Sequence, residues 1–200
     1  KPETPAKEHR HPMTRDDLRI AAMDLFAQAR REIVICSPAL DPSLYNRVAL
    51  TDALGHFIAR QARCRARIAV EDTEHMLLSS VRLVELARRF SDMILIQRLG
   101  EPHHGLTEMF IVADSESCLY QQDIATIDAT LDLHAPHLAL PLARRFEDIW
   151  AASEPVPGLH VVHDDDDLVV VDKPAGVAAH PSPGWTGPTV VGGLAGAGAA

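Results

Sequence analysis

Between residues 14 and 153, apolar helical faces alternate with short apolar runs that carry no helical period, and this alternation restricts the fold more than any other feature. Thr14 is placed to cap a helix, with Asp16 and Asp17 in its first turn and Leu18, Ala21, Ala22, Leu25, Phe26 and Ala29 along one face. Glu32 to Cys36 follows as a strand, stopped by Ser37-Pro38. After a turn at Asp41-Pro42, the spacing of Val48, Leu50, Leu54, Phe57 and Ile58 predicts a second helix ending near Gln61. A strand is expected over Arg67 to Val70, a third helix over Met76 to Phe90, and a third strand over Met93 to Ile96. A loop at 100–105 leads to two strands, Met109 to Ala113 and Cys118 to Tyr120, about an Asp-Ser-Glu-Ser turn. A last helix is expected from about Leu138 to Ala152. Helix and strand in turn predict an α/β domain with a mostly parallel sheet covered by helices.

The flanks read differently. Residues 1–13 have no apolar period and are expected to form a flexible lead-in to a domain spanning 14–153. Two prolines and a glycine within 154–158 cannot continue the last helix, so this stretch reads as a linker. Residues 159–200 then form a short β-rich segment, in which Leu159 to Val162 and Leu168 to Val171 flank four aspartates at a hairpin tip. Hydrophobic residues make up 46% of the chain, enough for a core, and the net charge of -9 excludes a uniformly basic coat for nucleic acid while leaving room for a local basic patch. Only one of the 19 Lys and Arg residues lies after residue 153. Cys36, Cys64 and Cys118 are odd in number and far apart, so they read as buried thiols of a reducing compartment. No apolar run reaches the ~18–20 residues needed to span a bilayer, and the polar N-terminus lacks a signal-peptide core. A cytoplasmic protein without a membrane partner is therefore expected. The chain begins with Lys rather than Met, so its natural start is expected further upstream.

From Thr14 to Ser153, the strand and Ser-Pro at 33–38, Asp-Pro-x-Leu-Tyr at 41–45, the strand ending in Ala113-Asp114, and Ala-Arg-Arg-Phe-Glu-Asp-Ile-Trp at 143–150 occur in order. Their order resembles one half of the phospholipase D-like fold and, more narrowly, an uncharacterised bacterial family of such domains. That resemblance implies a fold and not an activity. The enzymes of the superfamily use His-x-Lys-x4-Asp, in which the His attacks phosphorus, the Lys neutralises phosphate oxygens and the Asp closes the strand. Aligned on Asp114, this chain has Thr107 and Met109 in the places of the His and the Lys. A threonine without an adjacent base is a poor nucleophile and methionine carries no charge, so phosphodiester hydrolysis is not expected.

The run Leu-Val-Val-Val-Asp-Lys-Pro-Ala-Gly-Val-Ala-Ala-His-Pro at 168–181, followed by Gly-x-Thr-x-Val, resembles the opening of the catalytic domain of RluA-type pseudouridine synthases. In those enzymes this segment helps to frame the active-site cleft, which implies that Lys173 and His180 contact RNA. Their catalytic Asp lies downstream in a His-Arg-Leu-Asp motif, and no such motif occurs in the 200 residues. No uridine isomerisation is expected from this polypeptide by itself. The alternative is a truncated RNA pseudouridine synthase whose catalytic Asp lies beyond the end of the chain.

The remaining candidates concern binding. Arg60, Arg63, Arg65 and Arg67 form the one concentrated basic stretch and, with Arg88, Arg89 and Arg98, could meet the phosphates of RNA or another phosphate-bearing ligand. The competing reading is a solvated face paired with Glu71, Asp72 and Glu85. A homodimer through the 14–153 domain is a further expectation, because phospholipase D-like halves pair. His134-Ala-Pro-His137 with Asp132 reads as a turn, since Pro136 interrupts it, and the adjacent His103 and His104 point apart. Asp164 to Asp167 lack the spacing of a calcium loop, and the glycines from 192 onward fit no nucleotide-binding pattern. Neither a metal nor a cofactor is expected.

Overall fold

The computed structural model describes residues 7–12, 14–156, 161–164, 169–171 and 179–180. The chain divides into two compact units, Lys1–Glu154 and Pro155–Ala200. In the first, β1 (Glu8–Arg10) leads to α1 (Arg15–Gln28), β2 (Glu32–Ser37), the short α2 (Pro42–Tyr45), α3 (Val48–Arg60) and β3 (Arg65–Val70). Then come α4 (Thr73–Ser79), α5 (Val81–Arg89), β4 (Ile94–Arg98), β5 (Met109–Ala113), β6 (Ser117–Gln121), β7 (Ala129–Leu133) and α6 (Pro136–Ala152). The sheet runs β1-β7-β6-β5-β2-β3-β4 and ends on a two-residue strand at Glu154–Pro155. In the second unit, Val161–Asp164 and Val169–Val171 pair antiparallel, with a bulge between Val170 and Val171.

The sheet is mixed and mostly antiparallel, which corrects the expectation of a mostly parallel one. β2 with β3 and β3 with β4 run parallel, whereas β5 with β2, β6 with β5, β7 with β6 and β1 with β7 are antiparallel. The cause lies in the turn after β5. Asp114 and Ser115 both take positive φ, 54° and 57°, and Glu116 N–H donates to Ala113 C=O at 2.9 Å. Two consecutive left-handed residues make the tight turn that matches strand twist, so β6 folds straight back on β5 instead of crossing over through a helix.

β1 stands where the sequence predicts an irregular lead-in. Three residues carry little intrinsic strand signal, but Arg10 reaches Asp24 of α1 at 2.7 Å and His9 reaches Asp132 of β7 at 2.6 Å. The helix expected over 76–90 is two helices. Asp72 caps α4 by accepting from His75 N–H, and the chain leaves helical geometry at Ser80; α5 then begins where Asn46 Oδ1 accepts from Arg82 N–H at 3.2 Å. At α1, Thr14 and Asp17 form a reciprocal capping box.

Strand alternation sends side chains to two helical layers. Val34, Cys36, Ala69, Phe110, Val112 and Cys118 form one buried cluster with Ala139, Phe146 and Ile149 of α6. Residues of opposite parity, including Ile33, Ile35, Ile68 and Ile111, are fully buried on the side of α1, α3 and α5 with Leu25, Phe26 and Phe57. Each such side chain contributes roughly 1.5–3 kcal/mol by leaving water. No helix among the described residues is long and apolar enough to cross a membrane.

Candidate functional site

The two ends of β5 carry the positions that the resemblance to phospholipase D-like domains marks out, Thr107 and Met109 at one and Asp114 at the other. At one end Thr107 is exposed just before the strand, and Met109 is buried on the floor of a cleft of about 310 Å³. Because β5 runs antiparallel to β2, this cleft lies at the C-terminal end of β2, between the loops that follow β2 and β6. Several of its polar groups are engaged: Arg15 is paired with Asp41 at 2.8 Å, Ser37 Oγ donates to Ala39 C=O at 2.6 Å, and Gln121 Nε2 donates to Thr126 C=O, whereas the buried Tyr45 hydroxyl has no hydrogen-bond partner among the described residues. His75 is exposed at the rim. Among the described lining residues, no hydroxyl is hydrogen-bonded to a histidine or carboxylate side chain of the kind that activates a nucleophile.

At the other end, Asp114 is committed to structure. Its Oδ2 accepts from Arg30 N–H at 2.7 Å, and its Oδ1 accepts from Arg31 N–H at 2.8 Å and Glu32 N–H at 2.9 Å. One carboxylate thus satisfies three successive amides at the entry to β2 and ties the β5–β6 turn to the α1–β2 loop.

The same edge gathers arginines from two loops. Arg60 Nη1 donates to Ala27 C=O and Ala29 C=O, each at 3.1 Å, Cys64 Sγ approaches Arg30 C=O at 3.5 Å, and Arg65 N–H donates to Arg31 C=O at 2.9 Å. The α1–β2 and α3–β3 loops are therefore packed side by side, and Arg30 and Arg31 join Arg60, Arg63 and Arg65. Arg30, Arg31, Arg60 and Arg63 are exposed and Arg65 is half-buried. The side chains of Arg30, Arg31 and Arg63 make no hydrogen bond or ion pair to any described residue. Arg65 Nη1 donates to the carbonyls of Ala62 and Cys64. The exposed carboxylates nearby are Glu116 in the β5–β6 turn and Asp92 just before β4.

Arg67 lies in the same run but has another task. Its fork meets Glu147 at 2.5 Å and 2.9 Å and Glu32 at 2.8 Å, while its guanidinium carbon lies 5.2 Å from the Phe146 ring and 5.5 Å from the Trp150 ring. This arrangement clamps α6 to the sheet, and the Arg67 hydrogen bond holds the Glu147 carboxyl below its usual range. Arg88 and Arg89 end α5, and Arg98 pairs with Glu154 at 2.7 Å. Among the described residues, none of these three side chains hydrogen-bonds or ion-pairs with the loops that carry Arg30 and Arg63.

The other sequence candidates are dispersed. His134 adopts φ 52° and its N–H donates to Ser117 Oγ, while Pro136 starts α6, so His134 and His137 sit on different elements. His104 Nε2 lies 2.9 Å from Leu99 C=O. Lys173 lies outside the described residues, and His180 is exposed in the second unit. The contribution of Arg30 and Arg31 was missed in the sequence because it depends on which loops become neighbours. A pair of arginines directly before an apolar strand was the signal that could have raised it.

Comparison with known proteins supports this geometry at the level of fold. A family described as Domain of unknown function (DUF7931) matches residues 14–162. Nuc from Salmonella typhimurium, a phospholipase D family member, superposes with a TM-score of 0.59 at 12% identity, covering 76% of this chain and 99% of that one. TrmBL2, an archaeal chromatin protein, gives 0.55 at 13% identity over 78% and 56%, and NucT from Helicobacter pylori gives 0.54 at 9% over 76% and 100%. An uncharacterized RNA pseudouridine synthase from Mycobacterium bovis is 50% identical over 70 residues, which are 35% of this chain and 20% of that protein. One from Aquifex aeolicus is 44% identical over 48 residues, or 24% and 15%. The chain thus corresponds to a fifth or less of the length of these curated relatives.

Proposed function

We propose that this chain, which belongs to the DUF7931 family, carries a phospholipase D-like domain that binds nucleic acid without cleaving it. The observation that carries the reading is the pair of ends of β5. Met109 stands where a phosphate-neutralising cation would be needed, and the carboxylate of Asp114 is consumed by three backbone amides. The ligand class is drawn from the edge where Arg30, Arg31 and Arg63 stand exposed without a described partner, beside Arg60 and Arg65. Such a cluster on a chain of net charge -9 concentrates positive potential on one rim, the pattern a phosphate backbone recognises. A chromatin protein described as binding DNA shares the fold, and relatives of part of the chain are named for an RNA reaction; both support the same ligand class. Arg67 contributes to the domain's integrity rather than to the ligand.

The segment after residue 158 is read as the opening of an RluA-type catalytic domain, with Lys173 and His180 as further RNA contacts. No His-Arg-Leu-Asp motif occurs in the 200 residues, so the role proposed for this segment is RNA contact rather than uridine isomerisation.

Fluorescence anisotropy with a labelled RNA strand and a labelled DNA duplex, across a salt series, tests the reading. Binding is expected to weaken with salt, and Arg30→Glu with Arg63→Glu to abolish most of it. For the duplex, each neutral substitution, Arg30→Gln or Arg63→Gln, should lower the log–log salt slope by about 1. Affinity and slope unchanged in the doubly reversed variant would refute the assignment.

A further inference from the structure

We propose that His9 and His11 form an open binding site for a divalent transition-metal ion of the zinc, nickel and copper class. This pair lies on the β1 edge of the sheet, away from the loops that carry Arg30 and Arg63, and is independent of the nucleic-acid reading. His9 lies on β1 and His11 two positions further on, so both side chains emerge on the same side of an extended chain. Their Nε2 atoms are 2.9 Å apart and their rings stand at 85°. Opposite His9 in the β1–β7 register is Asp132, only 7% exposed, whose Oδ1 lies 2.6 Å from His9 Nδ1.

That carboxylate decides the tautomer. An ionised Asp132 only accepts, so the proton of a neutral His9 ring sits on Nδ1 and its Nε2 presents a lone pair toward His11. Without a metal, the contact is completed by an N–H on His11 Nε2. With one, His11 carries its proton on Nδ1 and both lone pairs point at the ion. Two imidazole nitrogens at ~2.0–2.1 Å from a tetrahedral ion stand about 3.4 Å apart, so the rings would have to part by about half an ångström and each turn by roughly 35° to aim its lone pair at the ion. Asp132 behind His9 completes the carboxylate–histidine–metal arrangement that fixes ring orientation.

Among the described residues, no group of three His, Cys, Asp or Glu converges as a complete ligand set. The pair therefore leaves coordination positions for water or for an incoming ligand. Imidazole donors select zinc, nickel or copper over magnesium and calcium, which require oxygen ligands. Arg10, between the two histidines in sequence, is held away by Glu8 at 2.8 Å and Asp24 at 2.7 Å.

Titration calorimetry of the whole chain with zinc, nickel and copper salts in a weakly coordinating buffer tests the site. One equivalent is expected, lost in His9→Ala and in His11→Gln, weakened about 10- to 100-fold in Asp132→Asn, and retained in His103→Ala and His137→Ala. Circular dichroism of His11→Gln, whose ring is exposed, separates loss of a ligand from loss of the fold. Absence of uptake by the wild type, or stoichiometry unchanged in a folded His11→Gln, would overturn the proposal. Long-range proton–nitrogen correlation of the metal-free protein supplies a second readout. A proton on His9 Nδ1 is expected, and one on Nε2 alone would contradict the tautomer argument.

Discussion

Asp114 meets two demands that few residue types satisfy together. Its backbone takes φ 54°, where Asp and Asn are tolerated better than most side chains, and its two oxygens serve the amides of residues 30, 31 and 32. Asp114→Ala should cost about 2–3 kcal/mol in urea denaturation, because three amides lose a charged acceptor. Asp114→Asn should cost less, since it keeps the turn and one acceptor oxygen. A loss below about 0.5 kcal/mol in the alanine variant, the level of an ordinary surface change, would show that water replaces the carboxylate. The thiols give a pH prediction. Burial pushes Cys36 up to about 12, against a smaller opposing pull from Arg145, and burial followed by the Asp132 charge pushes Cys118 to about 12. A raised thiol pKa means that the unfolded chain releases protons first. Stability should therefore fall between the ordinary thiol value of 9.0 and about 12, by ~1.4 kcal/mol per pH unit for each thiol, and be unaffected by these groups below that window. Denaturation at several pH values checks this, and Cys36→Ala should flatten the slope. In the native state near neutral pH, a thiol reagent should label neither residue.

Among the elements, those with a local cause were legible in the sequence. Thr14 with Asp17 announced α1, and the apolar spacing of Leu50, Leu54, Phe57 and Ile58 announced α3, because each rests on neighbours along the chain. β1 and β7 were not legible. Ala129, Leu131 and Leu133 alternate with Thr130 and Asp132 as in a half-buried strand, but the run is short, and Asp132 is buried where His9 meets it from 123 positions away. The return of β6 along β5 depended on two left-handed residues at 114 and 115, neither of which is glycine. Gly100 is a comparable case of a constraint that appears only in three dimensions. A Cβ there would lie 2.0 Å from the carbonyl oxygen of Ala152 at the end of α6. Gly100→Ala should therefore force the 100–105 loop and the α6 terminus apart and cost about 1–3 kcal/mol, read as a lowered unfolding midpoint. An unchanged midpoint would mean that the two segments separate freely.

At the scale of the molecule, the proposed binding and the proposed lack of cleavage have separate origins. The absence of a His-x-Lys-x4-Asp motif was readable in the sequence, with Thr107 and Met109 counted back from Asp114, and Met109 lines the cleft at that end of the strand. The basic rim was only half readable. Arg63 and Arg65 belong to it, but Arg67 is turned into the joint with α6, and Arg30 and Arg31 enter through the packing of one loop on another. The central claim is that this rim holds a phosphodiester chain which nothing in the domain can cut. Its most direct test is to incubate an end-labelled nucleic-acid strand with the protein and follow it on native and then denaturing gels. The account predicts a retarded complex on the first gel and full-length strand on the second. Shortened strand, or no retardation at low salt, would contradict it.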